Sequence, residues 1–366
     1  MQKSMSSNSR GKSFSLTCFG ESHGKCVGAI VDGCPPGFKL SVNDIQKEVD
    51  KRRPISEIIS TPRKEEDKVE LISGVFEGYT TGAPICMIVW NREVNSKTYK
   101  EYLLKPRPGH ADFPALERYN RFNDYRGGGR FSGRLTVAFV MAGAIAKKIL
   151  VKTKIEVLAH TAEIAGIKLN APPTLADIRT NVYENKMRCS NKQTAQLMET
   201  AVINARKDDD SVGGIVECLV LNVPVGVGDP IFDNLDADIA KILFNIPGVK
   251  GVEFGSGFKV SRLRGSENND PYILKTNQVV TLTNNAGGIL GGLSNGMPIV
   301  VRVAFKPTPS ISKLQQTVDL KKLVEVPLKI RGRHDACIVP RAVPVVESAV
   351  ALVMVDHLLR RGLVNI

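Results

Sequence analysis

With 366 residues, 42% of them apolar, the chain can bury a large core, and its 7 cysteines, odd in number and without paired short spacings, argue against a disulfide framework or a zinc site. A net charge of +13 favours anionic partners, whereas an aromatic content of 6%, not interleaved with the basic residues, argues against the stacking surfaces of nucleic-acid binders. No apolar run approaches a membrane-spanning length and the first twelve residues are polar, so the expectation is a soluble, cytoplasmic protein with no membrane and no nucleic-acid partner.

Residues 14–17 and 28–31 read as strands, with the turn-forming segment Gly20-Glu21-Ser22-His23-Gly24 between them and Pro35-Pro36-Gly37 closing the second. Ser41, followed three residues on by Asp44, reads as a helix N-cap, and that helix runs to Arg53, where Pro54 stops it. Residues 68–72 and 83–89 are further strands. The segment 92–130 is long, polar and rich in Pro and Gly; its length is unusual for an idle connection, which marks it as a candidate site region. A helix over 132–151 follows Gly127-Gly128-Gly129-Arg130, so backbone donors and arginines converge at its start as an anion site. Helices follow at 175–182, 191–206 and 237–244, strands at 214–221, 279–283 and 299–304, and a last apolar helix at 345–361.

The first turn has a faint copy in the second half. Asp210-Ser211-Val212-Gly213-Gly214 keeps the Gly and Pro offsets that follow Ser22 but lacks the histidine. Gly74, Gly78, Gly82, Pro84 and Ile85 are spaced like Gly288, Gly292, Gly296, Pro298 and Ile299, and each half ends in an arginine-rich loop entering an apolar helix. Order and spacing point to a repeated architecture. No strand-G-x-G-x-x-G-helix unit is present. The expected fold class is therefore α+β: one large domain, an internally duplicated β-α-β sandwich of antiparallel sheets around helices, with pseudo-repeats at about 13–151 and 205–362.

Of the 5 histidines, His160 and His357 sit in apolar runs and read as structural. His23 and His110 stand in loops of small and turn-forming residues, where imidazole suits proton transfer near neutral pH. His334 is a weaker candidate than its neighbour Asp335, which lies between Arg333 and Arg341. Arginines in Gly- or Pro-rich loops can grip carboxylate or phosphate with both arms. His110-x-Asp112 alone is poor evidence for a metal, no G-x-S-x-G is present for a serine hydrolase, and one Arg- and Gly-rich segment leading straight into a helix is a poor RNA contact.

Residues 20–37, 107–112 with 125–136, and 332–344 resemble, in order and position, the three hallmark segments of the chorismate synthase family, and the linking segments agree over nearly the whole chain. The resemblance implies an FMN-dependent lyase that removes phosphate and a ring hydrogen from 5-enolpyruvylshikimate 3-phosphate, a substrate with two carboxylates and a phosphate. Carried over by position, it implies that His23 protonates the departing phosphate, that His110 lies near flavin N1, and that Asp335 takes a proton from flavin N5. It implies FMN contacts from Arg130, Phe131, Ser132, Gly291, Lys306, Pro307, Thr308, Pro309, Ser310 and Arg333, and substrate contacts from Ser22, Arg53, Arg107, Arg134 and Arg341. Arg52 matches a position linked to NADPH in members that reduce their own flavin, and the family implies a homotetramer. The rival readings are a flavin reductase or another flavin-dependent lyase using the same cleft, and a basic RNA-binding protein.

The chain also departs from the family pattern. Phe131 and Leu135 replace a hydroxyl and a carboxylate, and the second loss is expected to leave Arg134 freer to meet a ligand. Asn285 stands where His is frequent, Ile246-Pro247-Gly248-Val249 replaces a common Asn-Ala flavin contact, and Ile58 stands near a usual arginine.

Overall fold

Alternating burial along the strands sets the architecture. In the computed structural model, which describes residues 8–53, 67–92, 96, 99–330, 332 and 334–364, two five-stranded antiparallel sheets flank a layer of helices. The first sheet holds β1 (Ser9–Arg10), β2 (Ser15–Gly20), β3 (Cys26–Asp32), β4 (Val69–Leu71) and β5 (Ile85–Trp90), in the order β1-β2-β3-β5-β4. The second holds β6 (Glu156–Ile164), β7 (Ile167–Lys168), β8 (Gly214–Leu221), β9 (Val249–Phe254) and β10 (Ile299–Phe305), in the order β9-β10-β8-β6-β7. Val301 and Val303 of β10 and Val216, Cys218 and Val220 of β8 turn fully inward while their neighbours stay half-exposed, the period-two pattern of a sheet with one covered face.

Between the sheets lie α1 (Val42–Lys51), α2 (Thr136–Lys152), α3 (Leu235–Phe244) and α4 (Val339–Arg360), with α2 packed on the first sheet and α4 on the second. The two long helices meet at Gly143, where a Cβ would stand 2.2 Å from Ser348 Cβ, so the closest approach of the middle layer depends on that missing methyl. One buried apolar cluster runs from Phe14 to Leu358 through both sheets, giving a single α+β domain. α4 is long and apolar enough to cross a membrane, which corrects the expectation that no such run exists, yet 94% of its apolar window is buried inside the fold.

Boundaries differ where proline and glycine act locally. The last helix starts at Val339 rather than 345, with Pro340 in its first turn, where a missing N–H is tolerated, and Pro344 inside the helix, where one backbone bond of the ladder is lost. After Gly127, Gly128 and Gly129, at φ of 60°, 81° and 51°, have turned the chain, the middle helix is entered through a 3-10 turn at Gly133–Leu135 capped by the Ser132 side chain, and it becomes α-helical at Thr136 rather than 132. The region 92–130 contains helical turns at Tyr99–Tyr102 and Asp112–Arg118.

Candidate active site

A cleft of about 1450 Å³ opens where the turn after β2, the segment 99–112, the glycine-rich loop 126–134, the tail of β10 and the loop before α4 converge. Its lining carries seven Arg or Lys side chains against three aspartates, a net surplus of four positive charges. Ser22, Arg52, Arg107, His110, Arg130, Phe131, Ser132, Arg134, Asp335 and Arg341 line it, together with Lys306, Pro307, Thr308, Pro309 and Ser310.

The turn after β2 is held by its backbone. Ser22 donates its N–H to Gly129 O at 3.3 Å, Asn91 donates its amide to Glu21 O and Gly24 O at 3.0 Å, and Arg130 donates to Gly20 O at 3.0 Å and Cys18 O at 3.3 Å. Ser22 therefore faces the cleft, while His23, 5% exposed, lies just behind it. Its Nδ1 is 2.9 Å from Ser96 Oγ and Tyr99 meets its ring edge-on at 5.2 Å. A Cβ on Gly127 would lie 2.2 Å from His23 Cδ2, so only glycine lets the loop close over the imidazole.

Arg107 is gripped by Asp112 through two bonds of 2.8 Å and lies over the rings of Tyr102 and Tyr99 at 4.9 and 5.4 Å. Burial opposes its charge, but the Asp112 carboxylate outweighs that and raises its pKa. His110 follows three residues on, with Nδ1 2.9 Å from Pro108 O and Nε2 2.7 Å from Ser310 Oγ. Burial, then the Arg107 cation, pull its pKa down to about 4, so it is neutral at pH 7.

On the facing wall, Asp67 bridges two arginines: Arg52 Nη1 at 3.3 Å and Arg134 Nη1. Arg52 also donates to Thr136 Oγ1 at 2.9 Å and Gly133 O at 2.8 Å, and Arg134 Nε donates to Asn91 Oδ1 at 3.0 Å. Arg134 is thus held despite Leu135, which corrects the expectation that it is left freer: the carboxylate reaches it from Asp67. Asp335 is fixed by Arg341 at 2.6 Å. Lys306 donates to Gly109 O at 2.5 Å, and burial beside Lys250 lowers its pKa.

Two expected residues stand elsewhere. Arg53 pairs with Asp50 at 3.1 Å and is not among the cleft's lining residues, and Gly291 sits at the turn of the small hairpin formed by Ile289–Leu290 and Leu293–Ser294, also away from it. Arg333 and Ile58 lie outside the described residues. Of the residues that sequence reasoning passed over, Asp67 sits in the charged run Lys64-Glu65-Glu66-Asp67-Lys68, where nothing in the pattern singles it out, and Ser96, Tyr99 and Tyr102 fall in the segment marked as a site region but carry no individual signal.

The chorismate synthase family model matches residues 14–359. The chain is 52% identical over 358 residues to a chorismate synthase of Dehalococcoides mccartyi, covering 98% of each chain. It is 53% identical over 350 residues to that of Korarchaeum cryptofilum, covering 96% of this chain and 97% of the other, and 53% over 352 residues to that of Thermococcus kodakarensis, covering 96% and 98%. A crystal structure of chorismate synthase superposes with a TM-score of 0.75 at 27% identity, over 96% of this chain and 93% of that one.

Proposed function

The chain belongs to the chorismate synthase family of carbon–oxygen lyases in aromatic amino acid biosynthesis, and from that premise we propose how its cleft carries out the trans-1,4 elimination of phosphate from 5-enolpyruvylshikimate 3-phosphate. The observation that carries this reading is the coincidence, in one cleft, of four surplus positive charges with His110 and Asp335. A substrate with two carboxylates and a phosphate is drawn to such a lining, and arginines fixed by their own hydrogen bonds lose little freedom on binding it.

Reduced FMN is the cofactor this reading requires. The residues present fit such a group: Thr308 Oγ1 is buried without a hydrogen-bond partner among the described residues, in the same loop as Lys306, and Arg130 and Lys250 add cations to the lining. When bound, the reduced flavin supplies electron density that assists loss of phosphate. Arg107, fixed by Asp112, orients an anion of the substrate. His23, behind Ser22 and sheltered by Gly127, delivers a proton toward the departing phosphate. Asp335, held in place by Arg341, takes up the proton released from the ring position. His110, neutral at pH 7, accepts a proton rather than giving one.

Arg52, with its Nε and both terminal nitrogens engaged by Thr136, Asp67 and Gly133, is a wall of the cleft in this reading, and NADPH acts as a reductant from solution. The reading includes a cytoplasmic homotetramer, for which exposed apolar side chains such as Phe232 and Leu274, 94% and 79% accessible, offer contact area. The test is an anaerobic assay with chemically reduced FMN and the enolpyruvyl substrate. Stoichiometric phosphate and chorismate are expected; no phosphate release, with NADPH consumed when it replaces the chemical reductant, overturns the reading.

A further inference from the structure

The tail of β10 and the loop carrying His110 are latched together. Lys306 Nζ donates to Gly109 O at 2.5 Å, and Gly109, at φ 70°, approaches Pro309 so closely that a Cβ would stand 2.7 Å from Pro309 Cβ. Ser211 Oγ donates to Thr308 O at 2.7 Å and holds the same loop from the other side. The latch brings Ser310, 8% exposed, to the cleft wall with its Oγ 2.7 Å from His110 Nε2.

A backbone carbonyl only accepts hydrogen bonds, so the 2.9 Å contact between His110 Nδ1 and Pro108 O assigns a proton to Nδ1. In the neutral ring Nε2 is then an acceptor, and the Ser310 hydroxyl donates to it. The charged groups around the ring agree. Burial, Arg107 and Lys306 disfavour the imidazolium and outweigh the Pro108 carbonyl bond and Asp112, itself paired with Arg107, which work the other way. Both ring nitrogens are engaged by the protein, whereas Ser310 Oγ, donating one bond, keeps lone pairs able to accept another.

We propose that His110 exchanges protons with the cleft through Ser310, the hydroxyl serving as a relay between a bound donor and the imidazole. A donor in the cleft gives its proton to Ser310 Oγ while the original hydroxyl proton passes to His110 Nε2. One O–H bond breaks and one forms at the serine, and an N–H bond forms at the ring. The donor gains one negative charge and the imidazole one positive charge, with Nδ1–H still on Pro108 O. The reverse transfer restores the neutral pair, which the low proton affinity of His110 favours. The relay rests on the acid/base role given above to His110.

The full-length protein with 15N-labelled histidine tests the contact without turnover: at neutral pH His110 is expected to show a protonated Nδ1 and a bare Nε2. In the reduced-FMN assay Ser310→Ala is expected to lower kcat about tenfold or more with KM little changed, and Ser310→Thr, which keeps the hydroxyl, to recover most of it. Ser310→Ala combined with His110→Ala is expected to be no slower than His110→Ala alone, since residues acting as a unit are not additive. An Nε2-protonated ring overturns the relay, as does Ser310→Ala with normal kcat, or with only KM raised. If His110→Ala is slow and Ser310→Ala is not, the relay alone fails; if His110→Ala is normal, the acid/base reading of His110 fails with it. Labelling of Ser310 by a fluorophosphonate at the rate of a serine hydrolase would make it a nucleophile and also overturn the proposal.

Discussion

Gly127 and His110 show how single positions set the chemistry. Gly127 adopts φ 60°, and its absent Cβ is the space into which the His23 ring projects. Gly127→Ala adds both a left-handed backbone penalty and a contact far inside van der Waals range, so the loop must lift off His23. Turnover is expected to fall about a hundredfold, the scale of a lost acid or base, with the melting temperature changed far less; steady-state kinetics and thermal denaturation of the same sample decide it. His110 predicts a pH effect on stability. Its folded pKa of about 4 lies below the ordinary value of 6.5, so the unfolded chain binds the extra proton first. The stability owed to the neutral ring is complete above about pH 6.5 and is lost as pH falls toward 4. Urea unfolding of the wild type should weaken over that window more than unfolding of His110→Gln, and parallel curves would contradict the depressed pKa. His23, His110 and Arg134 were legible as candidates because each stands among turn residues, but their pairings were not. Ser96, Asp67 and Ser310 lie 73, 67 and 200 residues from His23, Arg134 and His110, respectively, and only the fold unites them.

Helices and strands were legible where one interaction dominated. β8 and β10 carry inward β-branched side chains at alternate positions and appear within a residue or so of their expected limits. The start of α4 was misplaced because proline was read as a boundary, whereas burial across the middle layer carries α4 through Pro344; α2 begins late because its first turn, Gly133–Leu135, winds as a 3-10 turn. The same layer makes an opposite demand at Gly143. Helix propensity alone favours alanine there by about 1 kcal/mol. The added methyl would meet Ser348 Cα at 2.7 Å, a backbone atom that cannot turn aside, and overpacking costs about 1–3 kcal/mol. Gly143→Ala should therefore lower the melting temperature by a few degrees, and Gly143→Leu should prevent α2 and α4 from meeting. A stabilised Gly143→Ala would mean that the helices can separate freely.

Across the whole molecule, charge is the property most directly readable from sequence and most directly tied to function. A surplus of +13 could have been spread evenly over the surface, but four net charges gather around one cleft. The +13 total pointed to anionic partners, and the arginine-rich loops pointed to the cleft that they line. The aspartates that temper those loops came from Asp67, Asp112 and Asp335, and only the first was invisible in the local pattern. A lining that is still positive after internal pairing attracts a multiply charged substrate over distances comparable with the Debye length, about 10 Å at 0.1 M salt. Raising ionic strength from about 0.01 to 0.5 M, over which that length shrinks several-fold, should therefore raise KM for the anionic substrate by weakening capture. It should leave kcat nearly unchanged, because paired groups such as Arg107–Asp112 and Arg341–Asp335 sit too close to be screened. A kcat that fell in step with rising KM would mean that salt dismantles those pairs, and that the cleft is held by exposed charges rather than by the buried contacts described above.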